Sequence, residues 1–166
     1  MKNADLRSVD LSESILDGFE GRHSFEDSKM NDAILDNVTF TNVFMQKARL
    51  KKASLKNAEF NGVKLKNAKL NEADLTDSVF TDVVLQGADL TGADLTGSVW
   101  TNVTLINSTI DGTIFTNTEF ELVDFSGAKA DDIEPIVEGS LNWRRNIDPC
   151  GSIQSQGSFD LFNVVC

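Results

Sequence analysis

Proline occurs twice, histidine once, cysteine twice and tyrosine not at all in 166 residues. Each scarcity excludes something. One histidine and no Cys-x-x-Cys leave too few soft ligands for a zinc site or a dithiol redox centre, so no metal and no cofactor is expected. No apolar run approaches the ~20 residues that a helix needs to cross a bilayer, so no membrane-spanning segment is expected. The first residues, MKNADLRSVD, hold no apolar stretch of the secretory-signal kind, which points to the cytoplasm. Cations are outnumbered, 15 Lys and Arg against 26 Asp and Glu, for a net charge of −11. That excess repels polyanions and argues against nucleic acid as a partner.

What the chain does have is a period of five. Large apolar residues stand at every fifth position from Phe25 to Phe125 without a gap, 21 positions in all. Two residues before each lies a small one, such as Ala48, Ala53, Ala58 and Val63, with His23 as the exception. Three earlier pentads centre on Leu6, Leu11 and Leu16, out of step by one residue. Five matches neither a helix nor a long strand. Within a pentad, however, two inward residues flank one outward residue, which is local strand alternation. The following pair is mostly Asn, Asp, Gly, Thr or Lys, which suits a corner. Very short strands joined by corners wind into a stacked coil, a solenoid.

A second period sets the size of the coil. Phe40, Phe60, Phe80, Trp100 and Phe120 recur every twenty residues, and so do Val43, Val63, Val83, Val103 and Val123. A period of fifteen sorts neither set. Twenty residues per coil means four sides, with like side chains stacked on like.

The pentads Ala73-Asp74-Leu75-Thr76-Asp77 and Ala88-Asp89-Leu90-Thr91-Gly92 resemble the pentapeptide-repeat family, A(D/N)LXX. The resemblance covers about residues 4 to 129. It implies an all-β fold, a right-handed, four-sided β-helix of about six coils, and the general rule for parallel crossovers agrees with that hand. The expected organisation is a repeat domain over 1–130, broken near 17–24, and a C-terminal cap over 131–166. The cap should hold a short helix near Glu134 to Leu141, with Pro135 at an early helical position, and a loop over 151–158. It should fold over Phe115, Phe120 and Phe125. At the break, Phe19 either folds back as the lowest aromatic rung or sits in a partner-binding loop between Gly18 and Arg22.

Candidate chemistry is sparse. Asp74, Asp89 and Asp94 are each the second residue of an Ala-Asp-Leu pentad, so the repeat accounts for them. Asn37, Asn102 and Asn107 fall in sequons that corner asparagines generate by chance. His23 has no catalytic companions in view, and pentads on different sides cannot converge into a cleft. No enzyme activity is therefore expected. Cys150 and Cys166 both lie in the cap, with fifteen residues between them. Family members of cyanobacteria and the plant thylakoid lumen carry a cysteine pair there, so the resemblance implies a disulfide. A bridge would place the chain in a lumenal or periplasmic compartment.

Charge is the one feature the repeat does not demand. Residues 47–69 hold Lys47, Arg49, Lys51, Lys52, Lys56, Lys64, Lys66 and Lys69 against Glu59 alone, whereas 70–128 hold ten acids and no Lys or Arg. At a period of twenty, Lys29, Arg49 and Lys69 stack as a positive column. Lys47, Lys51, Lys52, Lys64 and Lys66 lie on that side or its neighbour. The column serves either solubility or the docking of an acidic protein partner. The expected function is accordingly a non-enzymatic structural or protein-binding scaffold. The alternative comes from the resemblance: some family members mimic duplex DNA and bind DNA gyrase. The basic belt would break the negative strip such mimicry needs. Neither a monomer nor a dimer is specified.

Overall fold

The computed structural model describes residues 2, 4–12, 14–17 and 24–130, together with the backbone of 142–144, 146–147 and 153–154. The chain is a parallel β-solenoid, and no helix occurs among the described residues. Each turn pairs with the next at four places. Ser24 pairs with Phe44, Lys29 with Arg49 and Ile34 with Ser54, all parallel. The fourth pairing joins β2 (Thr39–Thr41) to β3 (Glu59–Asn61). Repeating this step carries the first column from Ser24 through Phe44, Lys64, Val84 and Thr104 to Asp124.

The aromatic pentads form the regular strands: β2, β3, β4 (Val79–Thr81), β5 (Val99–Thr101) and β6 (Glu119–Glu121). The other pentads make a single bridge and then turn. Met45, Leu50 and Leu55, for example, accept hydrogen bonds from the backbone N–H three residues on. The third residue of each such turn takes a positive φ, as at Lys47 (58°) and Asn57 (52°). Asn, Asp and Gly tolerate that conformation best. Asn37, Asn102 and Asn107 all occupy it, which is why the sequons arise.

The interior is one apolar stack. Leu35, Leu55, Leu75 and Leu95 are fully buried, as are Phe40, Phe60 and Trp100. Phe60 and Phe80 lie 4.7 Å apart and nearly parallel, the spacing of neighbouring strands. Ring contact continues from Phe80 to Trp100 at 4.4 Å. Higher up the rings turn edge-on, with Phe115, Phe120 and Phe125 packed against one another. Buried hydroxyls are largely satisfied locally: Ser78 Oγ donates to Leu75 O, and Thr113 and Thr118 donate to Leu90 O and Leu95 O.

The two ends depart from the simple period. At the start, Asp5 pairs with Lys29, Asp10 with Ile34 and Leu16 with Phe40, steps of twenty-four rather than twenty. The four extra residues lie between Asp17 and Ser24. Leu16, on β1 (Ile15–Asp17), is thus the register partner of Phe40. Phe19, His23 and the Gly18 to Arg22 loop lie outside the described residues. At the other end the sheet runs one strand beyond the pentads. In β7 (Asn142–Arg144), Trp143 stands opposite Phe120, a step of twenty-three. The stretch 151–158 is not all loop. Ile153 and Gln154 form β9, antiparallel to β8 (Asn146–Ile147). Two paired residues are too few to show a periodicity in sequence. The helix expected over 134–141 and the Cys150–Cys166 pair lie outside the described residues.

Glycines at the turns test the stacking directly. A Cβ on Gly62 (φ +68°) would stand 2.5 Å from Asn42 Oδ1 of the turn below, whereas one on Gly92 (φ +64°) would meet nothing nearer than Glu72 Cγ at 3.7 Å. Both alanine variants carry a left-handed penalty of about 1–2 kcal/mol, but only Gly62→Ala must also displace Asn42. Urea unfolding should therefore show a greater loss for Gly62→Ala. Equal losses would mean that Asn42 yields without cost.

Candidate docking surface

Each pentad sends three residues outward: the middle of its short strand and the two at its corner. Lys29, Arg49 and Lys69 are middles of one column, and they pair in register as the sequence period requires. Asp5 continues the column below, and Asp89, Thr109 and Lys129 continue it above. Lys51 and Lys52 lie at the corner of the same pentads as Arg49. Lys47, Lys64 and Lys66 belong to the adjoining column through Phe44 and Lys64.

Ion pairing divides these cations. Glu72 receives both Lys51, at 3.0 Å, and Lys52, at 3.4 Å. Those two ammonium groups hold the Glu72 carboxyl below its ordinary value, the hydrogen bond from Lys51 contributing most. Lys69 Nζ lies 3.3 Å from Asp89 Oδ2. Burial alone would raise the Asp89 carboxyl, but hydrogen bonds from Asn71, Thr91 and Lys69 outweigh it and keep the pKa low. Lys56 pairs with Asp74 at 3.1 Å on a different column. Among the described residues, Lys29, Arg49, Lys47, Lys64 and Lys66 form no ion pair. The surplus positive charge thus lies at the corner between two columns, on Lys47, Arg49, Lys64 and Lys66.

That corner holds two residues that sequence reasoning passed over. Val43 and Met45 are fully buried, so Phe44 between them points outward. It is partly exposed, while Phe25, Phe40, Phe60, Phe80, Trp100, Phe115, Phe120 and Phe125 are all inside. Phe44 is thus the one outward aromatic side chain among the described residues. Its column neighbour above is Lys64. Gln46 follows it on the same side, and its Oε1 is buried without a hydrogen-bond partner. The signal was available: Phe44 is an aromatic at a pentad's outward position.

The remaining two columns are acidic. Asp10, Asp36, Asp74, Asp77 and Asp94 occupy one, and Asp17, Glu59, Asp82, Glu119 and Glu121 the other, against Lys56 alone. Asp36 and Glu59 bring carboxylates into the lower turns, so acidic surface is not confined to the upper ones. Asp74, Asp89 and Asp124 each accept a hydrogen bond from the Thr or Ser hydroxyl two residues on. Their role is local bracing, and no group of three or more metal-ligating side chains occurs among the described residues. No helix there is long and apolar enough to cross a membrane.

Residues 24–57 and 58–97 match the family described as pentapeptide repeats, with eight copies. Over residues 24–97 the coil is built of pentapeptide repeats. No curated protein matches the sequence as a relative. Among solved structures, HetL aligns over 92% of each chain at 17% identity and a TM-score of 0.50. HetL is a pentapeptide repeat protein involved in heterocyst differentiation regulation in the cyanobacterium Nostoc. A pentapeptide repeat protein of the Arabidopsis thaliana thylakoid lumen aligns over 64% of this chain and 68% of its own, at 26% identity and a TM-score of 0.45. QnrB1, a plasmid-mediated fluoroquinolone resistance protein, aligns over 84% and 80% at 15% identity and 0.38. What HetL shares with the present chain is the fold.

Proposed function

We propose that this pentapeptide-repeat protein is a non-enzymatic docking scaffold that holds an acidic protein partner against the column of Lys29, Arg49 and Lys69 and its adjoining corner. The observation that supports this reading is the register pairing of those three residues, with unpaired cations gathered beside Arg49. A coil whose interior is filled by side chains leaves its outer columns as the place for recognition. Lys51, Lys52 and Lys69 are partly neutralised by the turn above, so the strongest contribution falls to Arg49, Lys47, Lys64 and Lys66.

The test is affinity capture from the cells that make the protein, at low and moderate salt. Proteins retained by the wild type should be lost steeply as salt rises, because exposed charges are screened beyond about 8–10 Å at physiological ionic strength. Arg49→Glu with Lys66→Glu should abolish retention and leave the melting temperature unchanged, since neither side chain is buried or ion-paired among the described residues. Retention that ignores the double reversal would reject the surface.

The two acidic columns favour one other reading, a mimic of duplex DNA directed at DNA gyrase, which the family resemblance suggests. We expect weak inhibition of supercoiling or none, because the basic corner opposes a continuous negative strip. Potent inhibition by the wild-type protein would place this reading first.

A further inference from the structure

We propose that the corner formed by Phe44, Lys47, Arg49, Lys64 and Lys66 recognises an acidic protein segment that carries an apolar side chain. The inference rests on the docking reading above and names the chemistry of its partner. Two independent features meet at this corner. The first is charge: four cations with no ion pair among the described residues, on a protein whose net charge is −11. Local positive charge on an acidic protein selects a short acidic segment, while the protein's overall field repels a long polyanion. The second is Phe44, which spends its ring outward where its counterparts in the pentads above carry Lys64, Val84 and Thr104. Aromatic and arginine side chains at the centre of a patch are the residues that usually dominate an interface. An apolar side chain from the partner would cover the ring and exclude water from the surrounding charges.

The division of labour is specific. The cations attract and hold the carboxylates. Phe44 discriminates among acidic segments by their apolar content. Single-stranded nucleic acid also combines stacking with charge, so it is the alternative to be excluded by measurement.

The experiment uses fluorescence anisotropy with three labelled probes: a short peptide of Asp and Glu containing two leucines, the same peptide with the leucines replaced by Glu, and a short oligothymidylate. The leucine peptide should bind about tenfold more tightly than the all-acid one, roughly 1.4 kcal/mol. Phe44→Ala should erase that preference while leaving the all-acid peptide and its salt dependence unchanged. Arg49→Glu with Lys66→Glu should abolish binding of both peptides. An all-acid peptide that binds as well as the leucine peptide, with both lost on charge reversal, would overturn this inference and leave the docking surface standing. Binding of neither peptide would overturn both. Oligothymidylate binding as tight as the leucine peptide would also overturn the inference, by assigning the corner to nucleic acid.

Discussion

Replacing Leu75 by lysine is expected to unfold the coil. Leu75 is fully buried, and so are Leu55 and Leu95 at the equivalent positions of the turns below and above. Every inward position around it is apolar or a small Ala, Ser or Thr. No carboxylate points into that stack, so a lysine there would be an unpaired charge without solvent. The penalty for burying such a charge is several kcal/mol, set against a total stability of ~5–15 kcal/mol for a domain. The defect would also fall mid-coil, where each turn depends on both neighbours for its backbone hydrogen bonds. Leu75 N donates to Asp94 O at 2.7 Å, and Leu55 N to Asp74 O at 2.7 Å. Leu75→Met conserves volume and should lose less than about 1.5 kcal/mol. Circular dichroism melting curves would separate the two. A lysine variant that melted with the wild type would show that this position does not face inward.

Trp100→Ala should cost about 3–5 kcal/mol. The indole is fully buried, lies tilted over Phe80 at 4.4 Å, and meets Phe115 and Phe120 edge-on at 6.3 and 5.8 Å. Truncation would empty the level at which the ring stack changes from parallel to edge-on packing. Its Nε1 also donates to Ser98 Oγ at 2.7 Å. The coil below shows how a smaller ring fits the same site. There the sequence is Ser78-Val79-Phe80-Thr81, and Ser78 Oγ turns to donate to Leu75 O at 2.6 Å. Trp100→Phe keeps an aromatic ring at this level, as Phe80 does one turn below, and should recover most of the loss. Urea unfolding of the two variants gives the comparison. An alanine variant no less stable than the phenylalanine one would mean that the indole contributes no packing here.

The repeat region was legible because its physics is local and repeated. Each inward residue meets the same requirement as the one twenty positions away, so a single error of register would have broken the whole series from Phe25 to Phe125. The ends were less legible. A period of five reports an insertion only modulo five. The one-residue slip between Leu16 and Phe25 is in space an insertion of four, as the pairing of Leu16 with Phe40 shows. Beyond Ala130 the three extra residues before Trp143 remove it from the pentad pattern, and the pairing with Phe120 is set by the sheet edge rather than by any repeat. Phe44 was readable and passed over, because a large apolar residue next to two inward ones draws no attention until its direction is known.

By itself the sequence determined which residues face inward, that turns stack at intervals of twenty, and that Lys29, Arg49 and Lys69 fall in one column. All three follow from periodicity, and periodicity survives without coordinates. Only the tertiary structure decided which of the cations remain available. Lys51, Lys52, Lys56 and Lys69 find carboxylates on the next turn, while Lys47, Arg49, Lys64 and Lys66 find none among the described residues. Ion pairing is decided within about 4 Å, by side-chain direction and by which corner an acid occupies. A repeat pattern specifies columns to the nearest pentad, and that is coarser than the distance at which charges neutralise one another.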